Sequence, residues 1–159
     1  MRTDTTLGRL VQKIAGSSAF AKVGPRFAPH MDRLVYKVTG GRKMASTGML
    51  PMIMLTATGA RSGQPRTTPL ATVPLDGDFV VVGSNFGQAT HPGWSANLIA
   101  HPDATVAFEG EEFAVNAHLL STQEKADVWP RLVAMWPLFD TYVERSGRDL
   151  RVFRLQRSD

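Results

Sequence analysis

Two stretches of the chain carry residue types suited to holding an anionic ligand with a ring system. The first, residues 56–70, reads Thr-Ala-Thr-Gly-Ala-Arg-Ser-Gly-Gln-Pro-Arg-Thr-Thr-Pro-Leu. Its glycines let backbone N–H groups approach an anion, and Arg61 and Arg66 each offer a two-pronged donor that matches phosphate or carboxylate. The second runs from Ser84-Asn85-Phe86-Gly87 to His91-Pro92-Gly93-Trp94-Ser95-Ala96-Asn97-Leu98. There a strand end passes through a polar loop onto a helix start, where free N–H groups favour anions or electron-rich ring oxygens. Trp94 is placed either to stack on a ring or to pin the short helix as a core residue.

Other chemistries find little support. The chain has no cysteine, which excludes disulfides, thiolate catalysis and Cys-ligated metal. His30, His91, His101 and His118 show no metal-ligand spacing, so no metal is expected, and His91 reads as a loop or capping residue. No Ser-His-Asp set or carboxylate pair stands out. Met44, Met49, Met52 and Met54 read as adaptable apolar packing near a pocket mouth or barrel end.

The elements that must position these residues form a helical start followed by short strands. Leu7, Leu10, Val11 and Ile14 follow helical spacing, as do Phe27, Met31, Leu34, Val35 and Val38. Gly24-Pro25 is expected to separate the two helices, and Gly40-Gly41 to end the second. Strands are expected over 51–58, 66–75 and 79–83, with Asp76-Gly77-Asp78 as a hairpin signal. A helix near 94–100 precedes a hairpin of 105–108 and 113–120. Ser121 and Glu124 form a capping box for a helix to about Met135. A short helix over 138–145 and a strand beginning near Arg151 close the chain. About six short, mostly antiparallel strands with flanking helices predict a mainly β, α+β single domain built on a small barrel. The alternating pattern and G-x-G-x-x-G loop of a dinucleotide fold are absent.

Composition is that of a globular protein, with 43% hydrophobic and 20% charged residues among 159. No run approaches the ~20 apolar residues of a spanning helix, and Arg9 and Lys13 interrupt the N-terminal apolar stretch, so a cytoplasmic location is expected. Residues 1–43 hold nine basic and two acidic side chains, a local +7 within a net +4, leaving −3 for the rest. Such segregation fits either a solvated helix face or reversible contact with an anionic membrane surface. Nucleic acid is not expected, because no aromatics interleave with these charges as a stacking platform requires.

In order and spacing these segments resemble the deazaflavin-dependent nitroreductases, F420-dependent split-β-barrel reductases of the actinobacteria. The resemblance rests on residues 56–70, the Asp-Gly strand at 76–83, residues 84–97, and Trp129-Pro130-Arg131-Leu132 through Met135-Trp136-Pro137. Asp32-Arg33-Leu34-Val35-Tyr36 and Thr39-Gly40-Gly41-Arg42 also fit, so it covers nearly all of residues 26–155. It implies a split β-barrel that binds coenzyme F420 rather than FMN. The implied reaction passes a hydride from the deazaflavin C5 to quinones, nitroaromatics or the C=C bonds of enones and unsaturated lactones.

The implied cofactor contacts are Ala60, Arg61 and Ser62, then Arg66, Thr67, Thr68, Pro69, Leu70 and Ala71. They continue on Val82, Gly83, Ser84 and Asn85, then Gly93, Trp94, Ser95, Ala96 and Asn97, and on Phe139. Trp136, Phe139 and Tyr142 are the implied substrate wall, with Tyr142 as a candidate proton donor or as packing. Four positions depart from the family: Ala60 replaces a common arginine, Asn85 a lysine, and Trp136 and Phe139 tyrosines. A less polar wall follows, which argues against nitroimidazoles. The same cradle would serve a non-catalytic deazaflavin carrier, or an FMN oxidoreductase of the same barrel class. The partners implied are small apolar unsaturated or aromatic molecules, for a monomer or homodimer.

Overall fold

Six antiparallel strands close on themselves in the order β1-β2-β3-β6-β5-β4 in a computed structural model that describes residues 6–38 and 50–158. The strands are β1 (Met52–Thr58), β2 (Pro65–Leu75), β3 (Asp78–Val82), β4 (Asp103–Phe108), β5 (Glu111–Leu119) and β6 (Val152–Arg157). Around them lie α1 (Thr6–Ala15), α2 (Ser18–Val38), α3 (Gly93–Ala100), α4 (Thr122–Met135) and α5 (Leu138–Ser146). The expected barrel is therefore present, and every strand pair is antiparallel.

Turn chemistry sets the hairpins. Asp76 and Gly77, at φ 53° and 89°, form the two-residue link between β2 and β3. Glu109 and Gly110, at 52° and 90°, do the same between β4 and β5. Two consecutive positive φ values match the right-handed strand twist, which is why Asp-Gly and Glu-Gly occupy these sites.

The barrel interior is apolar, and so is the part of its outer face that the helices cover. Ile53, Leu55, Phe79, Val81, Val106, Val115, Phe153 and Leu155 fill the interior. Alternate residues of the same strands point outward: Val80 and Val152 pack beneath Leu132, Trp136, Phe139 and Tyr142, while Met52 and Met54 pack with Leu50 and Tyr36. The methionine packing thus holds for Met52 and Met54; Met44 and Met49 lie outside the described residues, as does Gly40-Gly41.

The break between the first two helices differs from expectation. Helix α2 runs through Gly24-Pro25 without interruption, and the chain turns at Gly16-Ser17 instead. The Ser17 hydroxyl accepts the Phe20 N–H at 3.1 Å and so caps α2. Gly24 serves packing: a Cβ there would lie 2.7 Å from the Phe20 ring. The stripe Phe20, Gly24, Ala28, Asp32 is at least half-buried, whereas Val23, Phe27, Met31 and Leu34 are each half or more exposed. Apart from Phe20, several large apolar side chains of α2 therefore face outward, contrary to the usual amphipathic arrangement.

The capping box forms as expected. Ser121 Oγ accepts the Glu124 N–H and the Glu124 carboxylate accepts the Ser121 N–H at 2.8 Å. That backbone bond, aided by His118, holds the Glu124 carboxyl down to about 2. Ser121→Ala should cost about 1 kcal/mol at neutral pH in chemical denaturation. A depressed carboxyl stabilises the fold above the ordinary carboxylate range and loses that effect as pH falls from about 4.5 to 2. Glu124→Gln should accordingly flatten the stability profile across this window.

Candidate cofactor site

A cavity of about 1000 Å³ lies on the outer barrel wall, bounded by residues of β1, β2 and β3, by α1, α2, α3 and α5, and by the loops after β1 and β3. Its rim is the turn after β1. Gly59 and Gln64 close that turn through an N–H to carbonyl bond of 2.9 Å, and Gly63 at φ 64° donates to the Gly59 carbonyl. Asn97 Oδ1 reaches across from α3 to accept the Ala60 N–H at 2.9 Å. A Cβ at Gly59 would fall 2.5 Å from Ser62 Oγ, so only glycine closes the turn in this form.

These bonds decide how the turn can hold an anion. The N–H groups of Gly59, Ala60, Gly63 and Gln64 are spent within the turn or on Asn97. The cations of the turn and of the strand after it are the side chains of Arg61 and Arg66. Both are exposed, both line the cavity, and neither forms an ion pair among the described residues.

Most expected contacts are brought together. Ala60, Arg61 and Ser62 share the wall with Arg66, Thr68, Pro69, Leu70 and Ala71, as do Val82, Ser84 and Asn85. From α3 come Gly93, Trp94, Ala96 and Asn97. Trp94 lines the cavity and also packs on Phe153 in the barrel core, at 5.7 Å between ring centroids.

Three residues stand behind the wall. The Thr67 hydroxyl pairs with that of Thr56 at 2.9 Å, and its carbonyl accepts from Arg33. The Gly83 N–H donates to the Arg151 carbonyl at 2.7 Å. Ser95 is fully buried and donates its hydroxyl to the Pro92 carbonyl at 2.7 Å.

Trp136, Phe139 and Tyr142 all line the cavity and are all buried. They do not share one continuous helix: Trp136 is extended at φ −137°, and Pro137 begins α5 afresh. Edge-to-face contacts link Phe139, Tyr142, Phe86 and Phe20, with centroids 5.6–6.5 Å apart. The Tyr142 hydroxyl donates to the Ala15 carbonyl at 3.4 Å. Burial pushes this phenol above its ordinary value, and the Trp136 side chain and Arg145 only partly oppose the shift.

Phe86, His91 and Asp32 also line the cavity, although no spacing marked them as contacts. Phe86 arrives there through a positive φ of 54°, which an F-G pair does not advertise. Arg148 holds the loop from outside, donating to the carbonyls of Gly83, Ser84 and Gln88 at 2.8–3.0 Å.

A filled closed barrel with a deep slot on its outer wall, apolar within and cationic at its rim, defines a split-barrel scaffold for an anionic ring cofactor. The sequence profile of the F420H(2)-dependent quinone reductases matches residues 30–157, and the chain belongs to that family. The F420H(2)-dependent quinone reductase Rv1261c of Mycobacterium tuberculosis is 32% identical over 133 residues, spanning 77% of this chain and 85% of its own. An F420-H2 dependent reductase, FDR-A, is 30% identical with a TM-score of 0.62, covering 67% of this chain and 94% of that one. A chain solved as a domain-swapped dimer is 27% identical with a TM-score of 0.65, covering 80% and 94%. The protein is an oxidoreductase whose cofactor is coenzyme F420.

The slot fits that cofactor: its volume reaches the upper end for ligand sites, and the unpaired Arg61 and Arg66 suit an anionic tail. Replacing either by alanine should weaken F420 binding by about 1.5–3 kcal/mol. The melting temperature without cofactor should barely change. Loss of the apo fold with affinity intact would make the arginine structural.

Proposed function

We propose that the chain uses F420H2 to reduce quinones and related activated C=C bonds, as in enones and unsaturated lactones, in preference to nitroaromatics. The open apolar slot carries this reading: an aromatic wall remains beside space large enough for a ring cofactor and a second flat molecule. The naming of its relatives as quinone reductases supports it. When bound, the reduced deazaflavin supplies a hydride from C5. Arg61 and Arg66 would hold its anionic tail. Thr68, Ser84 and the N–H groups of Gly93 and Trp94 would serve the polar edge of the ring, and Val82, Leu70 and Trp94 its apolar body. Trp136 and Phe139 exclude water and orient the substrate, which strengthens every polar contact inside the slot.

Tyr142 is the proposed proton donor to the substrate oxygen that becomes negative. Its raised value keeps Oη protonated throughout pH 6–9, and delivery requires release of the Ala15 carbonyl. General acid assistance contributes about 10²–10⁴-fold, part of which water replaces. With F420H2, a naphthoquinone should be turned over faster than a nitroimidazole. Tyr142→Phe should slow quinone turnover with F420 affinity unchanged. Faster nitroimidazole reduction would refute the substrate preference, and wild-type rates for Tyr142→Phe across pH 6–9 would leave Tyr142 as packing.

The proposal extends to where substrate is collected. Val23, Phe27, Met31 and Leu34 on α2, with Leu10 and Ile14 on α1, form an exposed apolar stripe. Arg9, Lys13, Lys22, Arg26, Arg33 and Lys37 accompany it on the same two helices, with Asp32 the single acid there among the described residues. This charge complements an anionic lipid surface, each cation near it contributing roughly 1 kcal/mol. Ile14, Ala28 and Asp32 also line the slot, so a docked face would place its opening near the lipid. No described helix is long and apolar enough to cross a membrane, which leaves peripheral contact as the mode proposed. The protein should sediment with anionic but not neutral liposomes at physiological salt, and Phe27→Ser with Met31→Ser should abolish it. Absence of sedimentation, or a dimer in light scattering that the same substitutions dissociate, would assign the stripe to something other than lipid.

A further inference from the structure

The loop of residues 84–92 presents an imidazole that none of the roles above uses. Arg148 Nη1 lies 2.9 Å from His91 Nδ1, while its Nε and Nη2 donate to the carbonyls of Gln88, Gly83 and Ser84. A guanidinium has five N–H donors and no lone pair to offer. Nδ1 must therefore be the acceptor, and the proton of the neutral ring stands on Nε2. Nε2 makes no hydrogen bond to the described residues, and His91 belongs to the slot wall. From this geometry we infer that His91 is a fixed-tautomer hydrogen-bond donor. Its Nε2–H is available to an oxygen acceptor within the slot, and Arg148 is the positioning residue that sets the tautomer.

The acceptor is a carbonyl-type oxygen, supplied either by the cofactor ring or by the substrate. A neutral donor suits such an oxygen at little desolvation cost, whereas a charged imidazolium would have to be taken out of water.

The charged groups around His91 favour the neutral ring. Burial, followed by Arg151 and then Arg148, lowers its value below the ordinary imidazole range, while Asp149 pulls the other way. Protonation would also set an N–H against the Arg148 N–H and break that bond. The neutral ring is therefore kept to a lower pH than in an ordinary imidazole; protonation leaves the Nε2–H in place but breaks the Arg148 bond that positions it. Three residues further along, Arg151 Nη1 donates to Ser95 Oγ at 3.2 Å, so the segment that carries both arginines braces α3 as well as the loop.

Two substitutions separate the two ring nitrogens. His91→Asn keeps an acceptor for Arg148 near the place of Nδ1 but removes the Nε2 donor. His91→Gln sets an amide donor near the place of Nε2. Long-range ¹⁵N–¹H correlation on the cofactor-free protein, with His91 assigned from the Gln variant, should show a neutral Nε2–H tautomer at pH 7. Titration with oxidised F420 and steady-state KM for a quinone then locate the acceptor. His91→Asn should lose about tenfold, the upper end for one neutral hydrogen bond, and His91→Gln should recover most of it. A loss in F420 affinity assigns the bond to the cofactor; a rise in quinone KM at unchanged F420 affinity assigns it to substrate. Only the KM arm rests on the quinone reading above, so a failure of that reading leaves the tautomer and F420 arms intact. An Nδ1–H or doubly protonated ring at pH 7 would overturn the inference. So would equal damage in both variants, or wild-type behaviour of His91→Asn in both assays.

Discussion

The interior of this barrel is full, and that constraint organises everything outside it. Phe79, Phe153, Ile53, Leu55, Leu155 and Val106 are essentially inaccessible and meet across the middle. A six-strand barrel packed in this way encloses no ligand, and closure leaves no strand edge to recruit one. A cofactor must therefore lie against the outer wall. That wall has to be apolar, so strands such as β3 are buried on both faces, with Phe79 and Val81 inside and Val80 outside. Helices must then cover whatever the cofactor does not.

Because the slot is assembled from a wall, loops and separate helices, it depends on tethers between parts distant in sequence. Asn97 to Ala60 joins α3 to the arginine-bearing turn. Arg145 donates to the carbonyls of Gly16 and Phe86, joining α5 to the α1–α2 turn and the loop after β3. Arg148 collects three carbonyls and an imidazole on one side chain. Hydrogen bonds from a charged donor contribute about 1.5–3 kcal/mol each. Carbonyls that would otherwise be orphaned in a half-buried loop gain partners in the same contacts. The tethers thus fix loop shape as much as they stabilise it.

This division explains what the sequence made legible. Strands and hairpins could be placed because alternation and Asp-Gly or Glu-Gly turns are local signals. The Ser121–Glu124 box is local too, with both of its bonds formed. The wall residues of the two ligand-binding stretches followed from residue type and from family order. Gly24-Pro25 misled because glycine and proline mark turns by default, while here glycine lets the Phe20 ring approach the helix. The amphipathic pattern of α2 gave the right helix, but Phe27, Met31 and Leu34 turn outward, since periodicity does not say which face the barrel takes. Thr67, Gly83 and Ser95 fall behind the wall because contiguous motif segments alternate in the direction they face. Arg148 and the tautomer of His91 had no local signature at all. Their partner lies 57 residues away, and only the fold brings them together.

The central claim is that the outer-wall slot, with unpaired Arg61 and Arg66 at its rim, is built for a deazaflavin bearing a long anionic tail. Parallel spectroscopic titrations of the cofactor-free protein with F420 and with FMN test it most directly. F420 should bind the tighter of the two, and its advantage should shrink as added salt screens the tail from the two arginines. Tighter binding of FMN, or an F420 affinity indifferent to salt and to both arginines, would contradict the account.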